Sequence, residues 1–313
     1  MSLMPKVIVI AGPTASGKSA LAVHIAKKLQ SAVINCDAMQ IYKDIPVISA
    51  APSREEKDEI PHYLYEIYDC SKRGNVVEWL DLCVTKIRLL WQENKIPVIV
   101  GGTGMYIDAL INGVTPIPEV PNTIRQQILQ ELKENDLNFL YAWLQQNDEA
   151  IAQKLSPHDK TRITRAVEII RYTKKKLSDW YQEPLIKKLP EAEFLTVKIV
   201  PSLDVIAERC RFRLDKMVYD WGALKEIEKL VTRNLDADLP AMKALGVPEL
   251  SEYIKGNISL DKALELAKLH TRQYAKRQHT WLRHKLKADI EFENIYTGQP
   301  DYLKKIMQHF CLI

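Results

Sequence analysis

Short apolar runs alternate with helical patterns along the first third of the chain. The runs at residues 6–11, 32–36, 63–68 and 97–100 predict buried strands. Helical spacing follows the first and third runs and, from Gly104, the last one. This alternation predicts a parallel sheet flanked by helices, an α/β fold whose ligands bind at the carboxyl ends of the strands.

The pattern changes at residues 115–121, where three prolines predict a stiff connector. Beyond the connector, residues 122–188 show helical patterns only, and residues 194–200 predict a strand again. A helical block bracketed by sheet strands indicates an insertion that folds on its own. The predicted domains are a core of residues 1–115 and 194–313 and an all-helical insertion of residues 116–193.

The remainder of the core, residues 203–287, is predicted to be largely helical, and residues 289–292 to form an edge strand before a short terminal helix. From Leu266 to Ala288 this part contains several lysines and arginines and no acidic residue. A solvated helix face normally mixes both signs of charge, so a block of one sign favours contact with a polyanion.

A phosphate-binding pattern, G-x-x-x-x-G-K-[ST], follows the first strand and opens a helix. Backbone N–H groups of such a loop point at one anion, the lysine adds positive charge, and the next hydroxyl can bind Mg²⁺. A turn that matches by chance is the alternative, but the strand and helix supply the context that the motif requires. The predicted diphosphate-binding residues are Gly12, Pro13, Thr14, Ala15, Ser16, Gly17, Lys18 and Ser19, with Ser19 also the metal residue.

Two other strand ends carry candidate chemistry. Asp37 could hold a Mg²⁺-bound water in an ATPase, act as a general base in a transferase, or cap a turn. The loop of residues 101–104 lacks the acidic residue that an ATP hydrolase usually places there. Thr103 could donate to a phosphate, and a glycine-rich turn without a ligand explains the loop equally well. These interpretations remain open at this stage.

Arginines are clustered in two helical segments. Arg162 and Arg165 share a helix face and could bind phosphates or pair with Asp159 and Glu168. Three further arginines alternate along another helix, where alternate residues diverge by about 200°. At most one or two of these can therefore face the cleft. They are Arg209, Arg211 and Arg213.

The basic block at residues 271–283 combines cations with rings that can stack. Helical spacing predicts that four basic residues share a face, and that Tyr274 and Trp281 lie near its edge. This combination suits a structured RNA with unstacked bases. The alternative, rings in the core and cations merely solvated, is weakened by the absence of neutralising acids. The four basic residues are Arg272, Lys276, His279 and Arg283.

Composition adds limits to this prediction. The chain has 46% hydrophobic and 27% charged residues and a formal net charge of +4, as expected for a soluble globular protein. No stretch approaches the roughly 20 apolar residues that cross a bilayer, so no membrane association is expected. Five scattered cysteines indicate reduced thiols, and no apolar leader precedes the first strand. We therefore expect a cytoplasmic protein.

Taken together, the motifs resemble the tRNA dimethylallyltransferase family, also called tRNA isopentenyltransferases. The matching segments occur in the family's order along nearly the whole chain: residues 12–19, 37–42, 61–62, 100–106, 162–165 and 271–283. The resemblance implies a P-loop NTPase-like fold that holds a prenyl diphosphate rather than ATP, with Mg²⁺ near Ser19. It implies transfer of a dimethylallyl group from dimethylallyl diphosphate to N6 of the adenosine 3′-adjacent to the anticodon of tRNA, by a monomer.

The resemblance also implies roles for individual residues. Asp37 would accept the proton of the adenine amine, Thr103 would contact the bridging oxygen or nearby RNA, and Arg213 would neutralise the departing diphosphate. The tRNA anticodon arm would be contacted by Asp37, Ala38, Met39, Gln40, Thr103, Arg125, Thr161, Arg162, Ile163, Thr164, Arg165, Lys276, Arg277, Gln278, His279, Thr280, Trp281, Leu282 and Arg283.

The sequence departs from the family pattern in two places. A lysine expected in a Gly-Thr-Ala-Lys-Pro turn is replaced at Ala51, and an aromatic residue followed by a cation is replaced by Val247 and Pro248.

Three other functions are considered beside the transferase: a small-molecule P-loop kinase, an isopentenyltransferase that uses free AMP or ADP, and a non-enzymatic RNA-binding ATPase. The basic block and the missing strand-end carboxylate argue against them.

Overall fold

The computed structural model describes residues 4–311. Its strands form one sheet in the order β3-β2-β4-β1-β5-β6, and every pairing is parallel. The predicted α/β fold with a parallel sheet is confirmed, including the edge position of the last strand. The strands are β1 (Lys6–Ala11), β2 (Val33–Asn35), β3 (His62–Tyr63), β4 (Val98–Gly101), β5 (Glu193–Ile199) and β6 (Ile290–Phe292).

The third predicted strand is the one that differs most from the structure. Residues 63–68 were expected to be extended, but β3 ends at Tyr63. Leu64 and Glu66 adopt left-handed backbone conformations, with φ of 63° and 54°. A strand cannot continue through such residues, because its backbone requires negative φ. The apolar run therefore turns away from the sheet after two residues.

Helices alternate with the first four strands along the chain. The first four are α1 (Lys18–Lys28), α2 (Arg54–Glu59), α3 (Val76–Gln92) and α4 (Gly104–Ile111). Ile8 and Ile10 of β1 pack with Leu21 and Ile25 of α1 in the same buried cluster. Because α1 begins directly after the phosphate-binding loop, this packing fixes the base of that loop.

The chain then forms a second compact unit, Asn112–Lys187, whereas the first unit consists of Met1–Ile111 and Lys188–Ile313. The boundaries expected from sequence, 115/116 and 193/194, each fall a few residues later. The second unit has its own core, formed by residues such as Leu140, Leu144, Ile163 and Val167. Its helices are α5 (Asn122–Glu134), α6 (Leu137–Asn147), α7 (Glu149–Ala152), α8 (Lys160–Thr173) and α9 (Leu177–Trp180).

The first unit resumes with β5 and a largely helical segment. Its longest helix has 25 residues and is capped by Ser259, whose side chain accepts a hydrogen bond from the N–H of Lys262. None of the helices between residues 4 and 311 is long and apolar enough to span a membrane. The helices are α10 (Leu203–Tyr219), α11 (Ala223–Thr232), α12 (Val247–Ile254), α13 (Leu260–His284) and α14 (Pro300–His309), with a short 3₁₀ helix at Ala241–Lys243.

Candidate active site

A cavity of about 630 Å³ lies beside the phosphate-binding loop. The loop after β1 lines it together with Asp37 and Gln40, which follow β2, and with one face of α10. Its apolar walls include aromatic rings. This is the position that a parallel sheet offers to ligands, and the volume is in the usual range for small-molecule sites. The α10 and aromatic residues at the cavity are Tyr65, Glu208, Arg209, Phe212, Arg213, Lys216 and Trp221.

The backbone of the phosphate-binding loop is held in a left-handed path. Ala15 and Gly17 have φ of 63° and 86°. A Cβ on Gly17 would lie 2.1 Å from the carbonyl oxygen of Tyr296, so only glycine fits there. In the described residues, the N–H groups of Ala15, Gly17, Lys18 and Ser19 have no hydrogen-bond acceptor. These amides remain available to an anion, as the sequence motif predicted.

Three cationic side chains converge on the same loop. Lys18 Nζ donates to the carbonyl of Pro13 at 3.2 Å, and Arg209 Nε donates to the carbonyl of Ala15 at 2.9 Å. Arg213 donates to the Thr14 hydroxyl. Burial lowers the pKa of Lys18 to about 8, with Asp37 opposing that shift, and burial also lowers the pKa of Arg213. Desolvated cations of this kind favour an incoming anion, because the anion would offset the cost of burying their charge.

Asp37 fills one of the roles that the sequence left open, the capping of a turn. One carboxylate oxygen, Oδ1, accepts from the N–H of Met39 at 2.9 Å and so caps the turn after β2. The N–H of Asp37 donates to Asn35 Oδ1 at 2.8 Å, and buried Asn35 donates to the carbonyl of Leu64 at 3.0 Å. Within residues 4–311, the Oδ2 atom of Asp37 has no hydrogen-bond partner. The turn therefore orients the carboxylate and leaves one oxygen for chemistry.

The residues beside Asp37 are also placed by hydrogen bonds. Thr103 Oγ1 accepts from the N–H of Ala38 at 3.0 Å, which joins the end of β2 to the loop after β4. Gln40 Nε2 donates to the carbonyls of Ser49 and Ala50 at 3.2 and 2.6 Å. The hydroxyl of Thr103 and the amide nitrogen of Gln40 thus already have structural partners, and both side chains remain at least partly accessible.

The donor atoms near the phosphate-binding loop suit Mg²⁺. Across residues 4–311 there is no cluster of three His, Cys, Asp or Glu side chains that could hold a metal by itself. Ser19 is exposed in the first turn of α1 and lines the cavity beside the phosphate-binding loop. Mg²⁺ prefers oxygen ligands and commonly takes one or two from protein and others from bound phosphates and water. The residues present therefore fit this ion.

Helix α13 presents two different faces, which corrects part of the predicted tRNA segment. Lys276, Arg277, Thr280 and Arg283 are exposed, as a contact surface requires. By contrast, three side chains of the segment are buried, including His279, which was expected to be exposed together with the other basic residues. The three are Gln278, His279 and Leu282.

The arginines of the insertion all have carboxylate partners. Arg125 Nε and Arg165 Nη1 each lie 3.2 Å from a different oxygen of buried Glu168. Arg162 pairs with Asp159 at 3.6 Å. The ion-pair interpretation left open by the sequence is thus the one seen. Ile163 is fully buried in the insertion core, so its side chain is not available to tRNA. Thr161 and Thr164 remain on the accessible part of α8.

Comparison with known proteins identifies the family. A family model described as IPP transferase matches residues 40–285, and a second, isopentenyl transferase, matches residues 5–67. The chain belongs to the IPP transferase family. The tRNA dimethylallyltransferase of Zymomonas mobilis is 40% identical to it over 296 residues, which cover 92% of this chain and 93% of that protein. The Pelagibacter ubique enzyme of the same name is 37% identical, covering 98% and 96% of the two chains.

Solved structures of IPP transferases are similar as well. A eukaryotic dimethylallyltransferase described as acting on tRNA superposes with a TM-score of 0.82 at 28% identity, over 97% of this chain and 78% of that one. The tRNA isopentenylpyrophosphate transferase of Bacillus halodurans gives a TM-score of 0.68 at 30% identity, covering 98% and 95%. The predicted P-loop NTPase-like fold and the resemblance to this family are therefore confirmed.

The two departures from the family pattern lie in packed surroundings. Ala51 packs against the main hydrophobic cluster of the first unit, so a side chain of this size fits the observed turn. Val247 is fully buried at the start of α12, where Pro248 occupies an early helical position that tolerates proline. Ala51 and Val247 thus contribute to packing, whereas Pro248 is exposed.

Sequence reasoning missed some cavity residues of this IPP transferase. Arg209 was seen as one of three alternating arginines, but its separation of four residues from Arg213 would have placed both on one face of α10. That spacing was the available signal. Tyr65, Phe212 and Trp221 also line the cavity, and they carried no motif signal because isolated aromatics are usual in any core.

Proposed function

We propose that this chain transfers the dimethylallyl group of dimethylallyl diphosphate to N6 of the adenosine 3′-adjacent to the anticodon in tRNA, giving N6-(dimethylallyl)adenosine. One observation carries the proposal. The free amides and desolvated cations of a phosphate-binding loop line the same cavity as the unpaired carboxylate oxygen of Asp37. A diphosphate leaving group and a proton acceptor are the two requirements of this alkylation.

The prenyl donor is bound by its diphosphate. The free amides of Ala15, Gly17, Lys18 and Ser19 and the Lys18 ammonium would hold the phosphate oxygens. When the bond between C1 of the allyl group and the bridging oxygen breaks, its electron pair leaves with the diphosphate. Lys18, Arg209 and Arg213 are then positioned to stabilise the added negative charge.

The acceptor base supplies the nucleophile. The exocyclic amine of adenine is weakly nucleophilic, so the base must leave the stack and lose a proton during attack. The new bond joins N6 to C1 of the allyl group, and the proton passes from N6 to Oδ2 of Asp37. The capped turn holds that oxygen in place because Oδ1 is already bonded to Met39. Gln40 and Thr103 flank this position and would hold the everted base.

The apolar part of the cavity has a separate role. Tyr65, Phe212 and Trp221 offer aromatic surface to the dimethylallyl group, which develops positive charge in the transition state. Exclusion of water from this region would prevent hydrolysis of the allyl group. Mg²⁺, when bound through Ser19 and the diphosphate, supplies further neutralisation of the leaving group.

For the tRNA, the exposed side of α13 is the proposed contact surface. It combines Lys276, Arg277 and Arg283 with Thr280 and the half-buried ring of Trp281. Cations bind the phosphates, and a ring can stack on an unstacked base. In the insertion, Thr161, Arg162, Thr164, Arg165 and Arg125 are proposed as a second set of contacts. The proposal further includes action as a monomer in the cytoplasm.

A transfer assay tests the proposal. The protein is incubated with labelled dimethylallyl diphosphate, Mg²⁺ and unmodified tRNA, and the digested nucleosides are separated. We expect label in N6-(dimethylallyl)adenosine from the position next to the anticodon. Parallel reactions contain AMP in place of tRNA, or labelled ATP in place of the prenyl donor. Label in AMP, or phosphorylated product from ATP, would instead support the adenylate isopentenyltransferase or the kinase that the sequence left open.

A further inference from the structure

One side of helix α13 touches three successive residues after β4, which are Gly102, Thr103 and Gly104. Tyr274, Gln278 and Trp281 are spaced four and three residues apart, so they share one helix face. The Tyr274 hydroxyl lies beside Thr103, and burial raises its pKa. Gln278 bonds to Gly102, and a Cβ on Gly104 would lie 2.4 Å from the Trp281 ring.

Gln278 is the member of this face that also reaches the phosphate-binding loop. Its Oε1 accepts from the N–H of Thr14 at 2.9 Å, and its Nε2 donates to the carbonyl of Gly102 at 2.9 Å. The side chain is only 6% exposed. A carboxamide is suited to this bridge because it carries an acceptor and a donor together, which a carboxylate or thioether lacks. One buried side chain thus joins the two glycine-rich loops.

The neighbouring backbone is adapted to this bridge. A Cβ on Gly102 would lie 2.4 Å from Gln278 Nε2 and 2.8 Å from the carbonyl oxygen of Gly12. Any larger residue at position 102 would displace the carboxamide or the first glycine of the phosphate-binding loop. The second glycine of residues 101–104 is therefore explained by the contact with Gln278 and not by a ligand.

The bridge fixes Thr14, whose side-chain hydroxyl accepts a hydrogen bond from Arg213. Thr14 is bonded to Gln278 through its N–H and to Arg213 through its hydroxyl. The next two residues are bonded to other elements, Ala15 to Arg209 and Ser16 to Tyr296. With Thr14 anchored, the guanidinium of Arg213 and the free amides of Ala15, Gly17, Lys18 and Ser19 keep one arrangement before any anion binds. Such preorganisation favours both diphosphate binding and leaving-group stabilisation.

We propose that Gln278 is a positioning residue for the diphosphate site and not an RNA contact, a role that rests on the proposed transfer reaction. It acts through Thr14 and Gly102, and the helix that carries it turns its basic side to solvent. Loss of the bridge raises the KM for dimethylallyl diphosphate about tenfold, lowers kcat, and leaves the KM for tRNA within twofold.

Two neighbouring variants separate this role from RNA binding. Q278M keeps the side-chain length and removes both hydrogen bonds. R277Q, one residue earlier on the exposed side, removes a cation without touching either loop. In steady-state assays with unmodified tRNA and dimethylallyl diphosphate, Q278M is expected to change the constants of the prenyl donor, and R277Q those of the tRNA. An unchanged donor KM in Q278M, or a raised tRNA KM alone, would overturn the proposal.

A binding measurement keeps the test independent of the reaction itself. Titration calorimetry with inorganic pyrophosphate and Mg²⁺ is expected to give a Kd about tenfold higher for Q278M than for the unaltered protein. If the unaltered protein transfers no prenyl group but the Kd of Q278M is still about tenfold higher than its own, the proposed reaction fails and the positioning role stands. Equal Kd values overturn the positioning role. Should Q278M be insoluble, Q278E, which cannot donate to Gly102, is judged by the same constants.

Discussion

The arginines around the phosphate-binding loop and those of the insertion have opposite surroundings. Arg209 and Arg213 donate to a carbonyl and a hydroxyl of the loop, and neither forms an ion pair with any residue between 4 and 311. Arg125 and Arg165 instead share the two oxygens of Glu168, which is only 5% exposed. Positive charge is available at the loop, whereas in the insertion it is largely neutralised.

This difference shows what each set can contribute. A cation without a carboxylate partner retains its attraction for an anionic ligand, and its burial cost is offset only when the anion binds. A cation paired with a buried carboxylate first stabilises the fold. We therefore expect substitutions at the loop to affect catalysis more than stability, and substitutions at Glu168 and its partners to do the reverse.

The largest effect is expected at Asp37, the carboxylate that lines the same cavity as the unpaired cations. D37N preserves the shape of the side chain and removes the proton acceptor. General bases contribute about 10²–10⁴-fold, so the single-turnover rate of prenyl transfer should fall about 10³-fold. Affinity for tRNA, measured by filter binding, should remain within about threefold. Turnover at the unaltered rate would show that another group accepts the proton.

Arg213 gives the next largest effect and has a matched control on the same helix. R213Q removes a cation next to Thr14, and loss of one such stabilising donor typically lowers kcat by about 10²-fold. R211Q removes the same charge from an exposed position two residues earlier. We expect R211Q to stay within twofold in the same kinetic assay. Equal losses in both variants would mean that overall charge matters, and not the contact with the loop.

Substitution in the insertion should reverse the balance. R165Q leaves one oxygen of buried Glu168 without its cation and should lower the free energy of unfolding by about 1–2 kcal/mol. In parallel urea unfolding, R213Q should lower the free energy of unfolding by less than R165Q does. The comparison between the two sets fails if R165Q is as stable as the unaltered protein and raises the KM for tRNA tenfold, since Arg165 would then be chiefly an RNA contact.

The smallest effect concerns pH and buried His279. Burial, with a lesser contribution from Arg283, lowers the pKa of His279 below its unfolded value. The folded state therefore binds the proton less readily, so the contribution of His279 to stability is complete above about pH 6.5 and is lost as the pH falls. Between pH 7.5 and 5.5, the Tm of the unaltered protein should fall about 1–2 °C more than that of H279Q. Equal decreases in Tm for the unaltered protein and H279Q would contradict this expectation.

The sequence predicted the sheet and the phosphate-binding loop well because both depend on local pattern. The β-branched run of β1 and the glycines after it are sufficient to indicate a strand, a loop and a helix in that order. The length of the third strand was overestimated, since nothing in the identities of Leu64 and Glu66 indicates left-handed backbone conformations. These conformations are set by tertiary contacts, which a local pattern does not contain.

The basic helix shows a second limit of sequence reasoning. Its charge block was evident, but the direction in which each side chain points was not. His279 was expected on the basic face and is buried, and Gln278 was expected to contact RNA and instead bridges two loops. Helical spacing fixes which residues share a face, yet only packing decides which face turns inward. In α10, by contrast, the four-residue spacing of Arg209 and Arg213 was sufficient to indicate that both lie on one face of the helix.

The contact between Gly17 and Tyr296 has a consequence for how the protein is made. The phosphate-binding loop is synthesised long before the groups that hold it, which come from residues 209, 278 and 296. A nascent chain that has not yet extended past Tyr296 therefore carries the motif without its supports. Anion binding by this loop should therefore begin only once residue 296 has been added, so shorter nascent chains would not withdraw the ligand from the cell.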